Sequence, residues 1–193
     1  MSLNQHGILG LALVVAVGLC SGCIFDVRDA ESPGGEGSTW EPPDVPTKVF
    51  SNLETGLEDL TGVNYERSLH PNFTFKPLPE DESQFPPDVF ANWSVDDEKD
   101  ALQKLLAGSA VISVRFITPT QTEGSATTAR FRAPYELEAT DKQVPPEKTT
   151  YKGTAHFDFE RTGSGWQLVG WEDIERVEGF ATWGFLRGRL KQL

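Results

Sequence analysis

The amino-acid sequence predicts an α+β domain, in which N-terminal helices cover one face of a curled antiparallel sheet. Between residues 47 and 106, apolar side chains recur every three or four positions, which is the period of an amphipathic helix. Between residues 110 and 173 they alternate with polar side chains, which is the period of a half-buried strand. A sheet with one apolar face needs a cover, and the amphipathic helices supply it.

The N-terminus carries a short apolar segment followed by two cysteines. Residues 8–19 are apolar or glycine throughout, and these 12 residues fall short of the roughly 20 that a membrane-spanning helix needs. They predict a secretory signal peptide. The following run, Ser21-Gly22-Cys23, resembles the lipobox of bacterial lipoproteins, which implies cleavage before Cys23 and lipidation of that cysteine. The alternative is an ordinary signal peptide cut near Ser21, with Cys23 left as a thiol.

The lipobox match has two departures. Cys20 stands where these lipoproteins usually carry leucine, and no Lys or Arg precedes the apolar segment. The residue after Cys23 is Ile24, whereas the familiar sorting rule places an aspartate there in lipoproteins retained at the inner membrane. The resemblance therefore implies a cell-envelope protein anchored in the outer membrane through Cys23, and it leaves open which side the domain faces.

The predicted segments are a signal peptide at 1–22, a tether at 23–44 and one domain at 45–193. The tether is acidic, rich in Gly, Pro and Ser, and without apolar periodicity. The formal net charge of the chain is −12, which argues against nucleic acid as a partner. Both cysteines precede the domain, so its stability must come from its core.

The elements predicted before the main sheet are helical, apart from one strand and one irregular stretch. In order they are a helix at 47–60, a helix at 64–69, a strand at 73–75, a proline-rich excursion at 77–87 and a helix at 94–108. Asn64 is the expected cap of the second helix. Ser94 and Asp97 have the spacing of a capping box at the third.

Four strands are predicted next, at 110–117, 127–138, 150–160 and 166–173. The second and third alternate cleanly. Their apolar face consists of Ala129, Phe131, Ala133, Tyr135 and Leu137, with Tyr151, Gly153, Ala155, Phe157 and Phe159. After the strands, Phe180, Trp183, Leu186 and Leu190 recur at helical spacing, which predicts a final helix that packs on the domain.

This order of elements resembles the nuclear transport factor 2-like superfamily, the cone-shaped fold shared by polyketide cyclases and ketosteroid isomerase. The resemblance is carried by the stretches VFSNLETGLEDLTGVNYERSLHPNFTF and WQLVGWEDI. It implies a sheet curled around an interior that can hold a small molecule. In enzymes of this superfamily a His, Asp or Tyr inside the cone usually transfers the proton.

Few residues suit that chemistry here. His156 falls on the polar face of its strand and His70 at a helix end, so the best catalytic pair is Tyr151 with Asp59. The candidates for binding a small apolar ligand are aromatic side chains of the interior, namely Tyr65, Tyr135, Tyr151, Phe157, Trp166 and Trp183. The alternative is that these residues are core aromatics whose polar tips reach solvent. No cluster has metal-ligand spacing, and no cofactor is predicted.

The opposite sheet face carries a basic stripe, formed by Arg115, Arg130, Arg132, Lys152 and His156. The stripe favours an acidic partner, unless Glu136, Glu138, Asp158 and Glu160 neutralise it across the strands. Val111, Val169 and Trp171 could supply the apolar centre of a homodimer or of a contact with an envelope protein.

Three functional hypotheses follow from these patterns. The favoured one is a lipid-anchored, non-catalytic cone domain that binds a small ligand or a protein. The second is a cone enzyme of the dehydratase or isomerase type with a Tyr/Asp acid-base pair. The third is a structural subunit of the envelope. Whether the protein is an enzyme stays open, with the non-catalytic interpretation preferred.

Overall fold

The computed structural model describes residues 39–193. Cys23, the predicted signal peptide and most of the predicted tether lie outside these residues. The helices are α1 (Pro46–Glu58), α2 (Val63–Ser68), α3 (Pro79–Glu82), α4 (Val95–Gly108) and α5 (Trp183–Lys191). The strands are β1 (Leu69–Lys76), β2 (Ser109–Phe116), β3 (Thr120–Gly124), β4 (Thr128–Asp141), β5 (Lys148–Thr162) and β6 (Gly165–Arg176).

The strands form one curled sheet in the order β1-β6-β5-β4-β2, with β3 added to β4. The pairs β2–β4, β3–β4, β4–β5 and β5–β6 are antiparallel, as expected, whereas β1 pairs with β6 in parallel. The sheet is therefore mixed rather than purely antiparallel. The reason is topological, because α3 and α4 carry the chain from β1 at one edge to β2 at the other.

The helices bury the apolar faces that the sequence predicts. α1 buries Phe50, Leu53 and Leu57 against the sheet. The capping box of α4 is confirmed, because the Ser94 hydroxyl accepts from the Asp97 amide and the Asp97 carboxylate accepts from the Ser94 amide. The predicted cap of α2 is wrong. Gly62 takes that position with φ of 71°, a left-handed conformation that glycine adopts without strain, and Asn64 lies within the helix.

A cluster of phenylalanines forms the centre of the core. Phe50 on α1 contacts the rings of Phe116, Phe157 and Phe159, with ring centroids 5.0 to 5.2 Å apart. Phe131 lies 6.0 Å from the same ring. The apolar faces predicted for β4 and β5 thus point toward the helices, which confirms the cone.

A β-bulge in β6 overturns one predicted side-chain direction. Asp158 pairs with Gly170 and Phe159 pairs with Leu168, so Val169 is the extra residue between them. The bulge shifts the alternation by one residue, and Trp171 turns into the core, where it is 2% exposed. The expectation that Trp171 lies on the outer sheet face is therefore wrong.

The segments around the core add two elements that the sequence patterns missed. The excursion at 77–87 contains the short helix α3, and an extra strand, β3, lies between the first two predicted strands of the main sheet. The final helix is confirmed as α5, although Phe180 lies before it and is exposed. Residues 39–44 pack on the domain, since the Glu41 amide donates to the Asn52 side chain and the Pro43 carbonyl accepts from the Trp166 amide.

Candidate functional site

The interior of the cone holds a buried polar cluster where α4 and α5 meet. Its central pair is Glu98 on the first turn of α4 and Arg187 in the middle of α5, which are 3% and 1% exposed. The Arg187 Nε donates to Glu98 Oε2 over 2.8 Å, and Arg187 Nη2 donates to Oε1 over 2.6 Å. This bidentate geometry is the strongest arrangement of an arginine and a carboxylate.

Two further donors hold the Glu98 carboxylate. The Tyr65 hydroxyl on α2 donates to Oε1 over 2.5 Å, and the Trp93 indole nitrogen donates to Oε2 over 3.0 Å. Each oxygen therefore accepts hydrogen bonds from two directions. Burial raises the pKa of Tyr65 well above its usual value, and the neighbouring Glu98 charge raises it further, so this hydroxyl stays a donor.

Aromatic rings surround the Arg187 guanidinium. Its central carbon lies 4.1 Å from the ring centroid of Trp171, 4.3 Å from that of Phe75 and 5.2 Å from that of Trp183. These are cation–π distances. Burial alone would lower the pKa of Arg187, but the Glu98 carboxylate outweighs it and the net direction is upward. The guanidinium is therefore charged at every physiological pH.

A second buried carboxylate belongs to Asp173 on β6, and its side chain lies against the first residues of α5. It accepts from the Trp171 indole nitrogen and from the Gly184 amide, both over 2.9 Å. Burial raises its pKa from 3.8 to about 6, an effect that Arg187 and the hydrogen bonds offset only in part. The nearby Tyr135 hydroxyl accepts from the Trp183 amide over 3.0 Å.

Little space remains among these groups. The cavity lined by Leu57, Tyr65, Glu98, Trp183 and Arg187 has a volume of about 10 Å³, which is enough for one water molecule. α5 occupies the interior of the cone, with Trp183 stacked on Phe116 at a centroid distance of 6.2 Å. Two larger spaces in the described part of the chain are open surface grooves, one of about 530 Å³ beside the β3–β4 turn and one of about 450 Å³ beside β1.

The structure buries all six of the predicted ligand-binding residues. Each is at most 7% exposed, and the set is Tyr65, Tyr135, Tyr151, Phe157, Trp166 and Trp183. Tyr65 and Trp183 contact the polar cluster. Phe157 packs in the phenylalanine core, and Trp166 lies near the far end of β6, next to Pro43.

The predicted catalytic pair is spread over two distant elements of the described chain. Asp59 is exposed at the end of α1, and its carboxylate accepts from the amide and hydroxyl of Thr61. Tyr151 lies on β5, opposite Leu137 and bridged to Ala181. Within residues 39–193 no hydrogen bond joins the two side chains, and each has a local structural role.

Three charged residues of the interior, namely Glu98, Asp173 and Arg187, were not predicted from the sequence. Two of them carried a signal. Glu98 precedes Ala101, Leu102 and Leu105 by three, four and seven positions, so it lies in phase with the buried stripe of α4. Arg187 similarly follows Trp183 by four positions, so each helix places one charge on its apolar face.

The outer face of the sheet carries cross-strand ion pairs. They are Arg130 with Asp158, Arg132 with Glu175, Arg115 and Lys152 with Glu136, Lys148 with Glu138, and Lys76 with Glu172. The predicted neutralisation of the basic stripe is thus found for Glu136 and Asp158, whereas Glu138 pairs with Lys148, which lies outside the predicted stripe. Glu160 is exposed and forms none of these pairs. Without Trp171 the predicted apolar centre reduces to Val111, which is 60% exposed, and the half-buried Val169.

Within residues 39–193 no group of three or more His, Cys, Asp or Glu side chains is placed to hold a metal ion. No helix in this range is long and apolar enough to cross a bilayer.

Comparison with known proteins reveals likeness in structure only. No family model matches the chain, and neither does any curated protein. A protein of Kribbella flavida superposes with a TM-score of 0.56 at 15% identity, over 76% of this chain and 94% of its own. A proposed scytalone dehydratase of Novosphingobium aromaticivorans gives a TM-score of 0.56 at 11% identity, over 68% and 81%.

A type 2 hexachlorocyclohexane dehydrochlorinase gives a TM-score of 0.50 at 7% identity, over 69% of this chain and 86% of its own. At these identities the likeness establishes the fold and leaves the activity open. Together with the mixed, curled sheet and its helical cover, these neighbours identify the chain as a protein of the nuclear transport factor 2-like fold.

Proposed function

We propose that this protein is a lipid-anchored, non-catalytic binding domain of the bacterial cell envelope, which engages a protein partner through the outer face of its sheet. The observation that carries the proposal is the filled interior. Only about 10 Å³ remains beside Glu98 and Arg187, whereas sites for small molecules usually measure about 300 to 1,000 Å³. A substrate has no room in the cone while α5 is in place.

The interior polar groups support the same conclusion, because other protein groups already bind them. Glu98 accepts from Tyr65, Trp93 and Arg187, and Asp173 accepts from Trp171 and Gly184. A general base needs a lone pair that can reach a substrate proton. These carboxylates instead hold α5 against the cone.

The outer sheet face is the broad surface left for a partner, since α1, α2, α4 and α5 lie on the other side. Its charges are partly exposed and paired, and single apolar residues such as Val111 lie among them. Polar surfaces of this kind suit reversible contacts with a protein rather than an obligate dimer. A structural envelope subunit would use the same face, and the experiment below covers both cases.

A photo-crosslinking experiment tests the sheet face in growing cells. A photoreactive phenylalanine replaces Val111 on the outer face of β2, and in a matched control it replaces Val63 on α2, which has the same 60% exposure. We expect a discrete cross-linked product from position 111 and none from position 63. Products from neither position, or equally from both, would contradict a specific partner at the sheet.

The anchor is tested by the neighbouring cysteines. Cys23→Ala is expected to move the protein from the membrane fraction to the soluble periplasmic fraction and to abolish labelling with a radioactive fatty acid. Cys20→Ala is expected to change neither, because lipidation is assigned to Cys23. Fatty-acid labelling that survives in Cys23→Ala would refute the lipobox assignment.

A second candidate function is an enzyme of the dehydratase or isomerase type. The specific observation in its favour is Asp173, a buried carboxylate with a pKa raised to about 6 and with Tyr135 beside it. Such a group could exchange a proton near neutral pH. Native mass spectrometry of the purified protein separates the candidates, since a stoichiometric small molecule would favour the enzyme.

A further inference from the structure

The environment of Arg187 has the features of a ligand site. A bidentate carboxylate binds one edge of its guanidinium, and Trp171 and Phe75 lie against it at 4.1 and 4.3 Å. Aromatic rings packed against a positive charge are one way in which proteins recognise organic cations. Arg187 Nη1 is buried and has no hydrogen-bond partner among residues 39–193, so one edge of the group is left unsatisfied.

The walls of this pocket do not depend on the helix that fills it. Glu98 is on α4, Phe75 on β1 and Trp171 on β6. Tyr65 and Trp93 hold the carboxylate from outside α5 as well, at 2.5 and 3.0 Å. Without Arg187 the carboxylate would keep two donors and its orientation, but it would lose its counter-charge. The pocket is therefore preorganised for a cation from another source.

The connection between β6 and α5 has an exposed first part, and it is anchored at its end, where Ala181 pairs with Tyr151 and Thr182 is buried. Residues 177–180 between β6 and α5 are exposed throughout, and Gly179 adopts φ of 83°. The chain as a whole has a formal net charge of −12, which raises the local concentration of cations around it.

We propose that the cone interior is a recognition site for a guanidinium group, which the chain fills with its own Arg187 and which an external guanidinium can occupy in its place. This inference goes beyond the sheet-face function and does not depend on it. The external group belongs either to a small guanidine compound or to an arginine side chain of another protein. Both carry the guanidinium group that pairs with Glu98.

The test uses Arg187→Ala, which opens a space of the right shape beside Glu98. Ethylguanidinium is titrated into this variant, with the neutral isostere ethylurea as the matched probe, and binding is read by tryptophan fluorescence and by the melting temperature. We expect saturable binding at least about tenfold tighter for ethylguanidinium than for ethylurea, because only the cation pairs with the carboxylate. The double variant Glu98→Gln/Arg187→Ala is expected to lose this preference.

Surface effects are controlled by Arg130→Ala, which removes an arginine from the outer sheet face and should not respond to either probe beyond wild type. If Arg187→Ala is unfolded without a ligand, the same titration is followed by near-ultraviolet circular dichroism, which measures the recovery of the folded state. Recovery with ethylguanidinium supports the proposal. An equal response to ethylurea, or no response at any concentration, overturns it.

Wild-type protein tests the exchange itself. Ethylguanidinium is expected to accelerate hydrogen exchange of the α5 amides in a saturable manner, and ethylurea is not. An α5 that never responds would show Arg187 to be a fixed structural partner and would overturn the proposal. A comparison of agmatine with Nα-acetyl-arginine amide in Arg187→Ala then distinguishes the two sources. Tighter binding of agmatine indicates a small guanidine compound, and tighter binding of Nα-acetyl-arginine amide indicates a protein arginine.

Discussion

Replacing Asp173 by asparagine should remove one contribution to the pH dependence of the free energy of unfolding. The carboxyl is fully buried, and its pKa rises from 3.8 to about 6 in the folded state. Between these two values the folded protein binds more protons than the unfolded chain. The contribution of Asp173 to the free energy of unfolding therefore falls as pH rises from about 4 to about 6, and it stays constant above that range. The difference of about two pKa units corresponds to about 3 kcal/mol.

Urea unfolding of wild type and Asp173→Asn at pH 4, 5, 6, 7 and 8 measures this contribution. The asparagine presents one acceptor to the two donors, Trp171 and Gly184, so the variant also loses about 1 to 3 kcal/mol at every pH. That loss does not vary with pH. We expect the free energy of unfolding of wild type minus that of the variant to fall by about 2 to 3 kcal/mol between pH 4 and pH 7.

A surface carboxylate supplies the control of opposite sign. The hydrogen bond from Lys152 lowers the pKa of Glu136, so its stabilising contribution is present at neutral pH and is lost as the pH falls. The wild-type minus Glu136→Gln difference should accordingly rise with pH. A flat or rising difference for Asp173→Asn would refute the conclusion that burial governs this group.

Further variants test the packing and the sheet face by urea unfolding. Gly56→Ala should lower the free energy of unfolding, because the new Cβ would collide with the backbone of α2. Gly108→Ala has open space around its Cβ and should stay within about 1 kcal/mol of wild type. Equal losses of stability in the two variants would contradict the close approach of α1 and α2. Phe157→Ala should lose about 3 to 5 kcal/mol from the core, and a loss below about 1 would show the site to be loosely packed. Asp158→Asn removes a half-exposed pair with Arg130 and should lose at most about 1 kcal/mol, less at high salt; a larger, salt-independent loss would contradict a surface pair.

The sequence predicted the faces of the elements well because local periodicity reports burial directly. Phe131 and Phe157 alternate with charged residues, so their direction was fixed once the strands were recognised. The direction of Trp171 was not predictable in this way, because a single bulged residue, Val169, reverses the alternation and leaves no mark in the pattern. The parallel pairing of β1 was equally hidden, since it depends on the path of the chain through α3 and α4.

The candidate site was predicted only in part. Tyr65, Tyr135 and Trp183 were expected in the interior, whereas Phe75, Trp93 and Trp171 and the charged residues were not among the predicted site residues. Tyr65 and Trp183 lie on apolar stripes, where large aromatic side chains are expected. Glu98 and Arg187 lie on such stripes too, but a lone charge in a stripe normally marks the edge of the buried face. These two residues are 89 positions apart and meet only when α4 and α5 pack together, so no local pattern encodes their contact.

The Glu98–Arg187 pair is a poor way to stabilise a core, because removing two charges from water costs about as much as their attraction returns. Apolar residues of similar volume would fill the same space between α4 and α5. The pair does supply direction, since the bidentate contact and the rings of Phe75 and Trp171 fit one placement of α5. If α5 leaves, both charges lose their partner and the cone gains an open, negatively charged interior. A pair of this kind holds α5 in one position when Arg187 is bound. It also lets another cation take the place of Arg187 at Glu98, which a purely apolar contact would not allow.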